Sequence, residues 1–196
     1  MCKRKWHIIS YDKIEGYKGD FVTRKLWVDN EEKPKYKFKE KIDFYGDNQK
    51  NNYAICIGLN PAKAEINLDE TNKRLVRLLK KEYCGYYLFN IYPEITDNAT
   101  QINLEDNENI NFVSRLKDIL EEEIYKDLDV ILFFGRTLVI PDKVVELIRQ
   151  WLDDKKNIYL TSHNGEFTHP GANAKIEKIE LKLEYFRENT SIRIKK

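Results

Sequence analysis

Four apolar runs of strand length punctuate the chain from Tyr53 onward, and helix-period segments fill the intervals between them. The runs are Tyr53–Gly58, Tyr86–Tyr92, Asp129–Phe134 and Asn157–Thr161. Continuous apolar runs of this kind suit strands buried on both faces. Between them, 72–81 reads as a basic amphipathic helix. Residues 105–125 place Ile110, Val113, Leu116, Leu120 and Ile124 at helical spacing, and 142–152 does the same with Val145, Ile148 and Leu152. After Pro170-Gly171, Ile176, Ile179, Leu183 and Phe186 keep that spacing toward the C-terminus. Strands alternating with helices leave little choice of architecture. The expectation is an α/β fold: a three-layer α/β/α arrangement around a central, mostly parallel four-stranded sheet.

A chain of 196 residues suits one domain with a small extension. Residues 51–196 form the α/β domain in this reading. Residues 1–50 form a basic, aromatic, β-rich extension with short strand-like pieces such as WHII and KLWV. Within it, KPKYKFKEK (33–41) has two readings: a solvated edge strand guarded by lysines, or a basic patch with interleaved aromatics that touches nucleic acid. The net charge of +1 chooses neither, because a basic face can sit within a neutral total. The N-terminus carries basic residues without a long apolar stretch behind them, so a cytoplasmic protein with no membrane partner is expected. Cys2, Cys56 and Cys84 show no metal-type spacing, and Cys56 reads as a small buried hydrophobe. No cofactor or metal is expected, since none of the three histidines forms a ligand pair at helical spacing. Absence of a G-x-S-x-G elbow argues against serine nucleophile chemistry.

Ligands of open α/β sheets bind beyond the carboxyl ends of the strands. The residues following each run are therefore the candidates. They are Gly58, Leu59, Asn60, Pro61 and Ala62, then Asp69, Thr71 and Arg74, after the first run; Asn90 and Tyr92 at the second; Arg136 and Thr137 after the third; and His169, Pro170 and Gly171 after the fourth. Each has a plain alternative. Asn60 is also a turn residue, Asp69 a helix cap, His169 a surface histidine, Arg136 a solvated turn residue and Tyr92 a core aromatic. Their convergence on one rim carries more weight than any one of them.

The segments GLNPAKAE, LDETNKR, FNIYPEITD, LFFGRT and THPG, in that order, resemble the bacterial family catalogued as domain of unknown function 1643. The likeness spans about residues 53–175. Ala62 stands where that family has serine, and Glu70 where it has proline. The family in turn resembles the uracil-DNA glycosylase superfamily, whose mismatch-specific branch opens with G-[IL]-N-P-[GS] and whose last motif begins with H-P or N-P-S. GLNPA and HPG match those motifs in type and order. The resemblance implies a uracil-DNA glycosylase-like fold and hydrolysis of the N-glycosidic bond of a base in DNA.

Under that resemblance Asn60 orients a water and His169 stabilises the negative charge on the departing base. Asp69 is a stronger base, Asn90 reads a base edge, and Tyr92 stacks on an extruded base. Arg74 and Arg136 hold phosphates, and the remaining strand-end residues shape the substrate site. The expected partner is DNA, single-stranded or carrying modified bases, or a nucleotide. Ala172-Asn173-Ala174 offers no bulky wedge for a duplex. Two alternatives stay open: an enzyme acting on free nucleotides or nucleosides, and a non-catalytic module that binds nucleic acid or protein.

Overall fold

The computed structural model describes residues 6–16, 18–46, 52–61, 65–96, 98–122, 124–134, 142–152, 155, 157–163, 166–167, 169–170 and 174–179. Among these residues one mixed sheet organises the molecule. In chain order the elements are β1 (His7–Glu15), β2 (Phe21–Val28), β3 (Lys37–Phe44), β4 (Tyr53–Gly58), α1 (Glu70–Leu79), β5 (Gly85–Asn90), α2 (Asn107–Leu120), β6 (Asp129–Leu132), α3 (Asp142–Leu152), β7 (Ile158–His163), β8 (Glu166–Phe167) and β9 (Lys175–Ile179). The sheet runs β1-β2-β3-β5-β4-β6-β7-β8, and β9 also pairs with β7.

The four apolar runs form the parallel centre of the sheet, β5-β4-β6-β7. Alternate residues of each strand face opposite layers. Ala54, Cys56, Tyr86, Leu88 and Ile131 pack under α1 with Leu75, Val76 and Leu79. Ile55, Ile57, Phe89, Val130 and Leu132 pack under α2 and α3 with Phe112, Leu116, Ile148 and Trp151. Helices therefore cover both faces, and the expected α/β class and parallel centre are found. The connection leaving β4 travels toward β5, and the one leaving β6 travels the other way toward β7. The carboxyl ends of β4 and β6 thus flank a topological switch point, where such sheets open a crevice.

Four expectations need correction. First, the centre is not the whole sheet: β1, β2 and β3 form an antiparallel meander that joins it through β3 and β5. Second, β3 lies inside the sheet between β2 and β5, so the β3 part of KPKYKFKEK is not an edge strand, while Lys33 and Lys35 ahead of it are exposed. Within β3, Lys37 is only 2% exposed. Third, residues 175–179 form β9, antiparallel to β7, where helical spacing had suggested a helix. Backbone pairing with β7, from Ile158 with Ile179 to Ser162 with Lys175, outweighs the helical spacing of these residues. Leu183 and Phe186 lie outside the described residues. Fourth, α2 stops at Leu120 and is rotated from the expected stripe. Asn109, Phe112 and Ile119 join Val113, Leu116 and Leu120 inside, while Ile110 and Ile124 are exposed. Buried Asn109 drives part of that rotation, donating to Glu94 and to the Asn103 carbonyl, both at 2.9 Å.

Candidate functional site

Two loops leave the sheet side by side and are laced together. The Ile91 and Tyr92 amides donate to the Gly58 and Leu59 carbonyls, extending the β4–β5 pairing past the strand ends. The Thr96 amide donates to the Pro61 carbonyl. Asn60 sits inside this lacing. Its Nδ2 donates to the carbonyl oxygen and to Oγ1 of Thr96, both at 3.0 Å. With the amide hydrogens committed to Thr96, the carbonyl Oδ1 is the group left for a ligand or a water.

A cavity of about 280 Å³ opens beside these loops. Its wall includes Leu59, Asn60 and Pro61 after β4, Leu88 and Asn90 of β5, Phe133 and Phe134 after β6, and Asp69, Thr71 and Asn72 at the start of α1. Lys37, Thr96 and His169 complete it. Segments more than a hundred residues apart in the chain, GLNP and the histidine before Pro170, therefore share one cavity.

Asn90 is the most telling member. It ends β5, it is 4% exposed, and its carboxamide makes no hydrogen bond among the described residues. Buried amides are almost always satisfied by protein or water. One that borders a cavity is a donor–acceptor pair held ready for a ligand edge. Gly58 gives this amide its space: a Cβ there would lie 2.5 Å from Asn90 Oδ1 and 2.6 Å from the Phe133 ring.

The first turn of α1 holds the late histidine in place. Asp69 is the N-cap, its Oδ1 accepting the Asn72 amide at 2.8 Å. Thr71 Oγ1 lies 3.3 Å from His169 Nε2, and Arg74 donates to the Pro170 carbonyl at 2.9 Å. Thr71 and Arg74 are three residues apart and so share a helix face. The imidazole is open to solvent on one side and turns its ring toward Phe133 edge-on, centroids 6.1 Å apart. Desolvation of its enclosed side and the positive charge of Arg74 lower its pKa, which favours the neutral ring at pH 7.

The expected site residues thus divide. Leu59, Asn60, Pro61, Asp69, Thr71, Asn90 and His169 line the cavity. Gly58 supports it from behind. Arg74 and Pro170 lie behind the histidine, where Arg74 is a strut rather than a free phosphate ligand. Tyr92 does not line the cavity: its ring belongs to the core under α2 and α3, and burial pushes its hydroxyl pKa up to about 12. Ala62, Arg136, Thr137 and Gly171 lie outside the described residues. Sequence reasoning missed Lys37, Asn72 and Leu88. Asn72 had a signal, since it stands three residues after the Asp69 cap. Lys37 had none, because it belongs to a strand far upstream of the motif-bearing loops. Cys56 is buried, and its thiol pKa is raised by desolvation. Among the described residues no three His, Cys, Asp or Glu side chains gather to hold a metal ion. Nor is any helix there long and apolar enough to cross a membrane.

Fold and site together define an α/β protein with a polar cavity at the switch point of its parallel strands. The family model described as "Protein of unknown function (DUF1643)" matches residues 36–171, and the chain belongs to that family. The match begins at Tyr36, so it takes in β3 and Lys37 along with the parallel strands. No curated protein and no solved structure matches the chain.

Proposed function

We propose that this protein is a glycosylase-like hydrolase that cuts the N-glycosidic bond of a base in DNA, single-stranded or carrying modified bases. The observation that carries the reading is Asn90: a buried carboxamide without a hydrogen-bond partner among the described residues, bordering a cavity shared with Asn60 and His169. A planar ring with adjacent donor and acceptor atoms pairs with such an amide through two hydrogen bonds. Likeness of GLNP and the late H-P to the uracil-DNA glycosylase motifs supports the same reading.

In this mechanism the Asn60 carbonyl accepts a hydrogen bond from a water and orients it toward the sugar carbon. Thr96 fixes the amide, so orientation is prepared before substrate arrives. As the C–N bond lengthens, electrons collect on the base. The neutral His169 imidazole donates to a carbonyl oxygen of the base and stabilises that charge. Asp69 borders the cavity while capping α1, and its negative charge favours the cationic sugar of the transition state. A groove beside α1, flanked by Lys18, Lys73 and Arg77 and by the acidic Glu15 and Glu70, lies next to the cavity, and its lysines and arginine are the groups that would meet the phosphates of a strand.

The test is abasic-site formation on single-stranded oligonucleotides carrying uracil or 5-substituted pyrimidines, with wild type beside Asn60→Ala. Alkali-labile sites made by the wild type and lost in the variant support the reading. No cleavable site on any substrate, or equal activity in the variant, overturns it. The small cavity also suits a second reading, a nucleoside or nucleotide hydrolase. Free base released from nucleosides, with DNA left intact, would select it.

A further inference from the structure

The cavity contains a cation that the proposed mechanism has not used. Lys37 reaches it through an irregularity in β3. Trp27 of β2 pairs with Lys39, but the next residue, Val28, pairs with Lys37. One residue of β3 is therefore extra, a bulge at Phe38. In a regular strand residues three apart face opposite sides. The extra residue reverses that parity. Lys37 and Glu40 consequently share a face, Nζ to Oε2 at 2.7 Å, with both side chains 2% exposed or less. Phe38 and Lys39 turn to the other face, where Phe38 stacks on Trp6 and Lys39 donates to the Tyr125 hydroxyl.

Glu40 fixes the ammonium in place. It also accepts Arg24 Nε at 2.6 Å, and Arg24 in turn reaches the carbonyls of Glu65, Ile66 and Asn67 ahead of α1. A buried charge network thus spans from the meander to the loop before Asp69. Among the described lining residues, Lys37 is the one Lys or Arg and Asp69 the one carboxylate. They come from different sides: Lys37 from β3, next to the β5 strand that carries Asn90, and Asp69 from α1, next to His169.

Resting on the glycosidic reading above, we propose that Lys37 is the charged hydrogen-bond donor to the departing base. The substrates of the cavity are then bases that leave as ring anions, with an imide-type N–H and carbonyl oxygens, rather than amidine-type bases that leave more readily once protonated. The bond balance is simple. The C1′–N bond breaks, and its electron pair stays on the base, delocalised onto the carbonyl oxygens beside Lys37. Water supplies hydroxide to C1′, and its proton goes to solvent or to the released base. A fixed ammonium stabilises an anion and opposes a protonated base, so it sets specificity as well as rate.

The experiment is equilibrium binding of free uracil, the more acidic 5-fluorouracil, and cytosine to the full chain at one pH, for wild type and Lys37→Met. In wild type 5-fluorouracil binds more tightly than uracil and cytosine binds weakest. In Lys37→Met affinity for 5-fluorouracil falls about ten- to a hundredfold, the loss of a charged hydrogen bond, and the acidity order flattens. Lys37→Arg, which keeps the charge, retains the order. Equal wild-type affinities, an order that survives Lys37→Met, or no binding of any base would overturn the proposal. If Lys37→Met does not fold, the wild-type order alone decides. Hydrolysis is read separately: an intact acidity order without base release removes the reaction while leaving Lys37 as the specificity contact.

Discussion

Replacing Glu40 with glutamine should destabilise this protein more than almost any other charge-neutralising change. The substitution keeps the side chain's shape but removes the carboxylate that bridges Arg24 and Lys37, which are 1% and 2% exposed. Two buried cations would then face a neutral amide. Removing one partner from a buried ion pair costs about 3–5 kcal/mol. The lowered pKa of the carboxylate points the same way. Arg24 and Lys37 outweigh the desolvation of Glu40 and hold its pKa from the ordinary 4.5 down to about 2. At ~1.4 kcal/mol per pH unit that corresponds to about 3 kcal/mol. For a chain of this size each kcal/mol moves Tm by about 2–4 °C, so Glu40→Gln should melt about 6–20 °C lower. The sign of the pH dependence follows from the lowered pKa. The stabilisation is complete above the unfolded value near 4.5 and is lost as pH falls toward about 2. Thermal and urea unfolding followed by circular dichroism, at neutral pH and through that acid window, would read both effects. A variant within about 1 kcal/mol of wild type would refute the reasoning. So would equal acid sensitivity of the two proteins across the window.

Three further outcomes are expected. Gly58→Ala drives a Cβ into Asn90 Oδ1 and the Phe133 ring; it should cost about 1–3 kcal/mol of stability and weaken ligand binding, and wild-type affinity in a ligand titration would contradict the crowding account. Asp69→Ala removes the cap of α1 and should lose about 1 kcal/mol in urea unfolding. Activity that relies on a neutral His169 should fall on the acid side at a pH below the imidazole's ordinary 6.5, and Arg74→Ala, which removes a repelling cation, should move that limb to higher pH; a rate profile that stays in place would show that Arg74 does not tune the ring.

The parallel centre was legible in the chain because buried strands announce themselves as unbroken apolar runs. Tyr53–Gly58 has the same bounds in the sequence reading and in the fold, as does α3 at Asp142–Leu152. The strand-end rule then found much of the cavity wall, since it needs only the run and the residues after it. The rest depended on partners that local pattern does not encode. Lysine in alternation usually marks solvent, and nothing near Lys37 reveals that Glu40, which also pairs with Arg24, will neutralise it inside the sheet. The bulge at Phe38 shifts side-chain parity by one residue, which a strict two-residue period cannot anticipate. β9 departs from the helical expectation because isoleucines three apart share a face only in a helix, and pairing with the edge of β7 overrides that local signal. Arg74 looked like a free cation, yet its partner is a backbone carbonyl nearly a hundred residues away.

The central claim is that the cavity at the strand ends recognises a nucleobase through Asn90. Its most direct test is a chemical-shift titration of the isotope-labelled chain with free uracil. The account predicts that the Asn90 side-chain amide moves most, together with the Asn60 amide and the His169 ring, and that Asn90→Ala abolishes the response. Shifts clustered on another surface, or an unchanged Asn90 amide at saturating base, would contradict it.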